Sequence, residues 1–165
     1  MNRIGMGIDV HAFDEERPLV LGGVRIADRG GLAGHSDADA VLHAITDALL
    51  GAVGAGDIGE HFPSNDPRWQ NADSSIFLSE AVHSVTERDG TIVNLDVTII
   101  AQQPKLAPHR AAIRASVARL AGLREDQVSI KATTTDHLGA LGRAEGICAM
   151  AIVLIEVQPN FSIEH

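Results

Sequence analysis

The segment GICAMAIVLIEV, residues 146–157, is apolar at consecutive positions rather than alternate ones. A strand of this kind has to be covered on both faces. The chain therefore needs helices over one side of a sheet and a second layer, such as a neighbouring subunit, over the other. Further strand patterns lie at 3–9 (RIGMGID), 18–26 (PLVLGGVRI, interrupted by a Gly pair that suggests a bulge or a turn), 90–102 (GTIVNLDVTIIAQ) and 127–132 (QVSIKA). Between them, Leu42, Ile45 and Leu49 recur at helical spacing. This predicts a helix from Asp37 to Val53, closed by Gly54, with Ser36 and Asp39 forming a capping box at its start. Residues 73–88 and 108–123 read as two more helices, with Pro108 at the start of the second.

The expected fold class is α/β (α+β), a single sheet with helices packed on one face in a ferredoxin-like βαβ arrangement. Residues 1–157 are expected to form one domain and 158–165 a frayed tail. No repeat or linker divides the chain.

Composition narrows the function. A net charge of −9 and an aromatic content of 3%, with one Trp and no Tyr, argue against nucleic acid as a partner. The lone Cys148 sits in the apolar run and is expected to be a buried thiol in a reducing compartment. With no apolar stretch long enough to span a bilayer, the protein is expected to be soluble and cytoplasmic, without a membrane partner. An acidic protein binds an anionic substrate through local devices, and eight histidines make metal ions a natural one.

Asp9 and His11 lie two apart in a strand, so their side chains share a face. Asp39, His43 and Asp47 form an i, i+4, i+8 stripe on the first helix. His43 is either a core histidine bonded to Asp39 or Asp47, or the third ligand of a site with Asp9 and His11. Two imidazoles and one carboxylate with a fourth position open is the pattern of a catalytic zinc. Asp39 and Asp47 would then orient the imidazole. His35 and Ser36 precede the helix, where unpaired N–H groups suit a phosphate. Lys105, Thr133, Thr134, Thr135, Asp136 and Arg143 lie among Gly and Pro residues that suit a second anion cradle. The residues alone point to a metal-assisted enzyme acting on a phosphorylated small molecule.

Five motifs in order, GIDVHAF, LAGHSDADAVLHAITDALLGA, GDIGEHFPSNDPRW, DVTIIAQQPKLAPH and KATTTDHLGALGRAEG, closely resemble the 2-C-methyl-D-erythritol 2,4-cyclodiphosphate synthase family over residues 3–157. The resemblance implies a lyase of the non-mevalonate isoprenoid pathway. It would convert 4-diphosphocytidyl-2-C-methyl-D-erythritol 2-phosphate to the cyclic diphosphate and release CMP. It implies the stand-alone form and a homotrimer with active sites between subunits. By this resemblance Asp9, His11 and His43 hold zinc, and Asp136 holds a second divalent ion, Mg or Mn. His35 and Thr134 stabilise the transition state.

The methylerythritol phosphate would meet Asp57, Ile58 and Gly59 with Phe62, Pro63, Ser64, Asn65 and Asp66. The cytidine and its phosphates would meet Ala101, Gln102, Gln103, Pro104, Lys105, Leu106 and Ala107, with Ala132, Thr133, Thr134 and Thr135. Asp9, Val10, His11, His35, Ser36 and Arg143 complete the implied binding set.

The chain departs from the family pattern at four places. Asp136 stands where Glu is usual, PSND replaces PDTD, and GRAEG replaces GRGEG. Ile8, Ala140 and Met150 stand where relatives with an isoprenoid-binding axial cavity have Phe, Phe and Glu. Two other readings use the same residues: a metal-dependent phosphohydrolase, and a non-catalytic trimer braced by zinc.

Overall fold

A computed structural model describes residues 1–158; all of the expected tail except Gln158 falls outside the described residues. In chain order the elements are β1 (Asn2–Asp14), β2 (Leu19–Leu21), β3 (Val24–Ala27), β4 (Gly31–Leu32), α1 (Ala40–Val53), α2 (Ile58–His61), α3 (Ser75–Thr86), β5 (Gly90–Ile100), α4 (Arg110–Ala121), β6 (Val128–Thr133), α5 (Gly139–Gly142) and β7 (Gly146–Val157). Five strands form one sheet in the order β4-β1-β7-β5-β6, and β2-β3 is a separate hairpin. β5 and β6 are parallel and joined through α4, whereas β7 runs antiparallel to both β1 and β5. β1 and β5 are thus parallel to each other with β7 between them.

Residues 18–26 form two strands, the Gly pair between them being a turn rather than a bulge. Gly22 (φ 62°) and Gly23 (φ 75°) make the reversal, a two-residue turn of the kind that needs positive φ at both positions.

The first helix starts three residues later than the spacing predicts, at Ala40, and its cap is Asp39 rather than Ser36. Ala38 occupies the left-handed region (φ 57°) and interrupts helical geometry just ahead of Asp39. The Asp39 carboxylate accepts from the Leu42 N–H at 3.0 Å and from the Gly22 and Gly23 N–H groups at 2.8 and 2.7 Å. It therefore fastens the hairpin to the helix. Full burial pushes its pKa up to about 6 against the pull of those three donors. Gly54 closes the helix as expected, at φ 69°.

α1 is the central helix, packed on β1, β7 and α3. Its contact with β1 is unusually close because β1 presents glycine there. A Cβ on Gly5 would lie 1.8 Å from the Ala48 carbonyl oxygen, and one on Gly7 would lie 2.0 Å from that of Ala44. Backbone meets backbone with no side chain between, which fixes the height of α1 above the strand.

On β7, Ile147, Ala149, Ala151, Val153 and Ile155 face the helices and are fully buried. The opposite face of the sheet leaves Ile4, Met6, Ile8, Val10 and Ile152 exposed, with Ile4 at 71%. Within one chain, then, the last strand is fully covered only on its helix face; on the other, Cys148 is buried as expected but Ile152 is exposed. No helix among the described residues is long and apolar enough to cross a membrane.

Candidate metal centre and adjoining cavities

Gly5, Gly7, Asp9 and His11 share one face of β1, because side chains alternate along a strand. The two glycines seat α1, and the two functional residues emerge where that helix begins. His43, one turn into α1 and buried, completes the group. His11 Nε2 lies 2.8 Å and His43 Nδ1 3.1 Å from Asp9 Oδ2, and the two nitrogens are 3.4 Å apart. Tetrahedral zinc with bonds of about 2.0–2.1 Å separates its ligand atoms by roughly 3.3 Å. The donor set and its spacing therefore fit a divalent ion with little rearrangement.

Each imidazole is held from behind. His11 Nδ1 donates to the Ala33 carbonyl at 2.7 Å, which fixes the ring with Nε2 facing Asp9. His43 Nε2 lies 2.8 Å from Ser74 Oγ and 3.2 Å from Ser36 Oγ. Burial pushes the Asp9 carboxyl up, but hydrogen bonds from His11 and His43 outweigh it and hold the pKa at about 2. The Asp9 carboxylate in turn raises His11, against the pull of burial. The group is a negative oxygen clasped by two nitrogens, the electrostatic pattern that a cation can take over.

A cavity of about 580 Å³ opens over the triad. It gathers Asp9, His11, His35, Ser36, His43, Ile58, Gly59, Phe62, Pro63, Ser64 and Asn65 from the expected set, and adds Trp69 and Phe77. Phe62 packs on Phe77 with centroids 4.4 Å apart and meets Trp69 edge-on at 5.1 Å, making one wall apolar. His35 is placed by its loop: Arg17 donates to the Gly34 and Ser36 carbonyls, and His35 Nε2 lies 3.3 Å from the Asp66 carbonyl.

Asp57 and Asp66 stay outside that cavity. Asp57 caps α2 through the Glu60 N–H, and Asp66 pairs with Arg68. Val10 points to the opposite face of β1. Asp39 and Asp47 do not orient His43 as expected. Asp39 is occupied by the three backbone N–H groups, and Asp47 accepts from the Ile58 N–H at 2.7 Å. Nor is Ser36 the helix cap; its hydroxyl accepts from the Ala38 N–H and faces His43. Ser74, Asp37 and Arg17 escape a reading of spacing because the contacts they make are long-range. The only local signal for Ser74 is its place before the α3 pattern.

A second cavity, about 340 Å³, gathers Ala101, Gln102, Pro104, Lys105, Leu106, Ala107, Ala132, Thr133 and Thr134. Gln103 lines a different cavity, with Arg29 and Ala144. Thr135 donates to the Leu138 carbonyl, and Arg143 pairs with Glu145 at 2.6 Å. Asp136 is exposed at φ 53°, its N–H donating to Thr134 Oγ1. Ala144 lies at φ 58°, which explains why a glycine suits that position.

The two cavities occupy the same end of the sheet. Asp9, Ala149, Ile99 and Ala132 form one row across β1, β7, β5 and β6. Three strand spacings put Asp9 and Ala132 roughly 14 Å apart. Ala149 and Ile99 between them are fully buried, so packed core separates the cavities within a single chain.

The sequence model of the YgbB family matches residues 2–156. The chain is 56% identical over 154 residues to the 2-C-methyl-D-erythritol 2,4-cyclodiphosphate synthase of Dechloromonas aromatica, covering 93% of this chain and 96% of that one. It is 54% identical over 157 residues to the bifunctional enzyme IspD/IspF of Rhizorhabdus wittichii, covering 95% of this chain but 41% of that longer protein. The fold is similar to that of IspF from Plasmodium falciparum in its CDP complex, with a TM-score of 0.83 at 36% identity, covering 96% of this chain and 97% of that one.

Proposed function

This chain belongs to the YgbB family, and from that premise we propose that it converts 4-diphosphocytidyl-2-C-methyl-D-erythritol 2-phosphate to 2-C-methyl-D-erythritol 2,4-cyclodiphosphate, releasing CMP. The reaction is a lyase step of non-mevalonate isoprenoid synthesis. The observation that carries the reading is the Asp9, His11 and His43 donor set, spaced for a divalent ion and open to a cavity large enough for a sugar phosphate.

One oxygen of the substrate's 2-phosphate bonds to the β-phosphorus, and the bond from that phosphorus to the CMP oxygen breaks. The nucleophile is already ionised at neutral pH, so the protein needs no activated Ser or Cys. Its work is to fold the substrate back on itself and offset negative charge. Asp9, His11 and His43 would hold zinc, and Asp136 a second divalent ion, Mg or Mn. When bound, these cations supply Lewis acidity and a template for phosphate oxygens.

His35 faces the cavity, where its Nε2–H, now 3.3 Å from the Asp66 carbonyl, would turn to donate to a phosphate oxygen. Thr134 Oγ1 accepts from the Asp136 N–H at 3.2 Å, which leaves its own proton free to donate to the transferring phosphoryl group. Ile58 and Phe62 cover the methylerythritol carbons and exclude water. The segment Ala101–Ala107, with Ala132–Thr135, receives the cytidine and its phosphates.

Packed core between the cavities supports a site completed by two chains, with the metal from one and the cytidine pocket from the next. The exposed row of Ile4, Met6, Ile8 and Val10 supports a homotrimer, with that row turned toward its axis. We read β1–α1–β5, with β7 inserted between the strands, as the ferredoxin-like element of this arrangement.

Phosphorus NMR of the purified protein with the cytidyl substrate tests the reading. CMP and a cyclic diphosphate should accumulate with zinc and Mg present and stop on chelation. Release of inorganic phosphate instead would identify a phosphohydrolase, and an intact substrate would refute catalysis.

A further inference from the structure

We infer that Asp37 and Ser74 form a positioning relay that holds the His43 ring with a proton on Nε2, so that Nδ1 is the nitrogen left to give a lone pair to a cation between it, Asp9 and His11. The inference rests on the reading of those three residues as metal ligands.

Ser74, at the start of α3, is fully buried. Its hydroxyl donates to Asp37 Oδ1, and its N–H donates to Asp37 Oδ2 at 3.1 Å. Asp37 Oδ1 also accepts from the Asp39 N–H at 3.1 Å, so the carboxylate is held on both oxygens. A carboxylate has no proton to give, and a serine hydroxyl has one. With that proton committed to Asp37, Ser74 Oγ turns only lone pairs toward His43 Nε2, 2.8 Å away. Ser36 Oγ is the longer contact to the same nitrogen, at 3.2 Å, so the short Ser74 contact makes Nε2 the donor, and a neutral imidazole that donates at Nε2 presents a lone pair at Nδ1. That is the nitrogen facing Asp9 and His11. The relay runs from the loop before α1, through the start of α3, to α1 and β1. Neither Asp37 nor Ser74 lines the cavity, so both act through His43.

The test uses zinc affinity, measured by competition with a chromophoric chelator, in Ser74→Ala, Asp37→Asn and the double variant. Each single change should weaken zinc by about 10- to 100-fold. The double should be no weaker than Ser74→Ala alone, because the two residues act in series. Asp37→Asn is nearly isosteric and carries the test if Ser74→Ala does not fold. Its amide can donate to Ser74, freeing the hydroxyl proton to point at Nε2. In proton–nitrogen NMR of the zinc-loaded protein, the His43 Nε2–H should be protected from exchange in wild type and lose that protection in either variant.

Zinc affinity within about twofold of wild type in both variants, with only thermal stability lowered, would overturn the relay alone. So would losses that multiply in the double variant. A wild-type protein that takes up no zinc would overturn the metal reading and the relay with it.

Discussion

At the Asp9 end of the sheet the functional side chains are backed from within the chain. His11 rests on the Ala33 carbonyl, and His43 on Ser74 and Ser36. At the Thr134 end the arrangement is reversed. Thr133, Thr134, Asp136 and Leu138 are exposed, Leu138 at 73%, and Asp136, His137 and Ala144 all take positive φ. The first end is pre-organised, with three donor atoms already spaced for a divalent ion. The second carries polar groups with a free side, which is what the proposed site between two chains requires. Two regions of one sheet, four strands across, thus contribute to function differently, one by internal rigidity and one by availability.

Removing His43 should have the largest effect at the rigid end. In His43→Ala, zinc uptake should vanish and turnover should fall by more than about 100-fold, since even outer partners of a ligand are worth 10- to 100-fold. Circular dichroism should show the fold retained. Gly7→Val attacks the same end through its packing. A side chain there meets the Ala44 carbonyl and has to lift α1 from β1, so urea denaturation should show a loss of about 3 kcal/mol together with weaker zinc binding.

Met6→Asp sharpens the contrast between the ends. A charge on the exposed apolar row should dissociate the proposed trimer, seen by sedimentation, and lower turnover by at least about tenfold, while zinc per chain stays unchanged. Turnover that survives in a monomer would show that both cavities serve a single chain.

Asp39 gives a pH signature at the rigid end. Its folded pKa, about 6, lies above the ordinary 3.8, so the folded state holds this proton more tightly than the unfolded chain does. Its contribution to stability is therefore present below about pH 4 and is lost as pH rises through 6, by at most about 3 kcal/mol. The difference in unfolding free energy between wild type and Asp39→Asn should carry this slope. At the open end, Ala144→Gly should raise stability by about 1 kcal/mol by relieving a left-handed alanine, without changing zinc affinity.

Much of the rigid end is legible in the amino-acid sequence. Period-2 alternation puts Asp9 and His11 on one face, and the helical stripe singles out His43. Gly5 and Gly7 share the parity of Asp9 and His11, a signal that a helix would lie directly on that strand. The supports are not legible. Asp39 reads as a partner for His43, yet its carboxylate is taken by a hairpin 16 and 17 residues upstream. Ser74 reaches His43 across 31 residues. Spacing sees neighbours on one element, whereas these contacts depend on how elements dock. The start of α1 differs from the expected one for a local reason, because no propensity marks Ala38 as left-handed.

The central claim is that Asp9, His11 and His43 jointly hold the ion on which turnover depends. The direct measurement is zinc content per chain against CMP release in wild type, Asp9→Asn, His11→Ala and His43→Ala. Wild type should hold one zinc per chain, all three variants should lose it, and turnover should fall in proportion. Wild-type turnover in a protein stripped of zinc would contradict that claim.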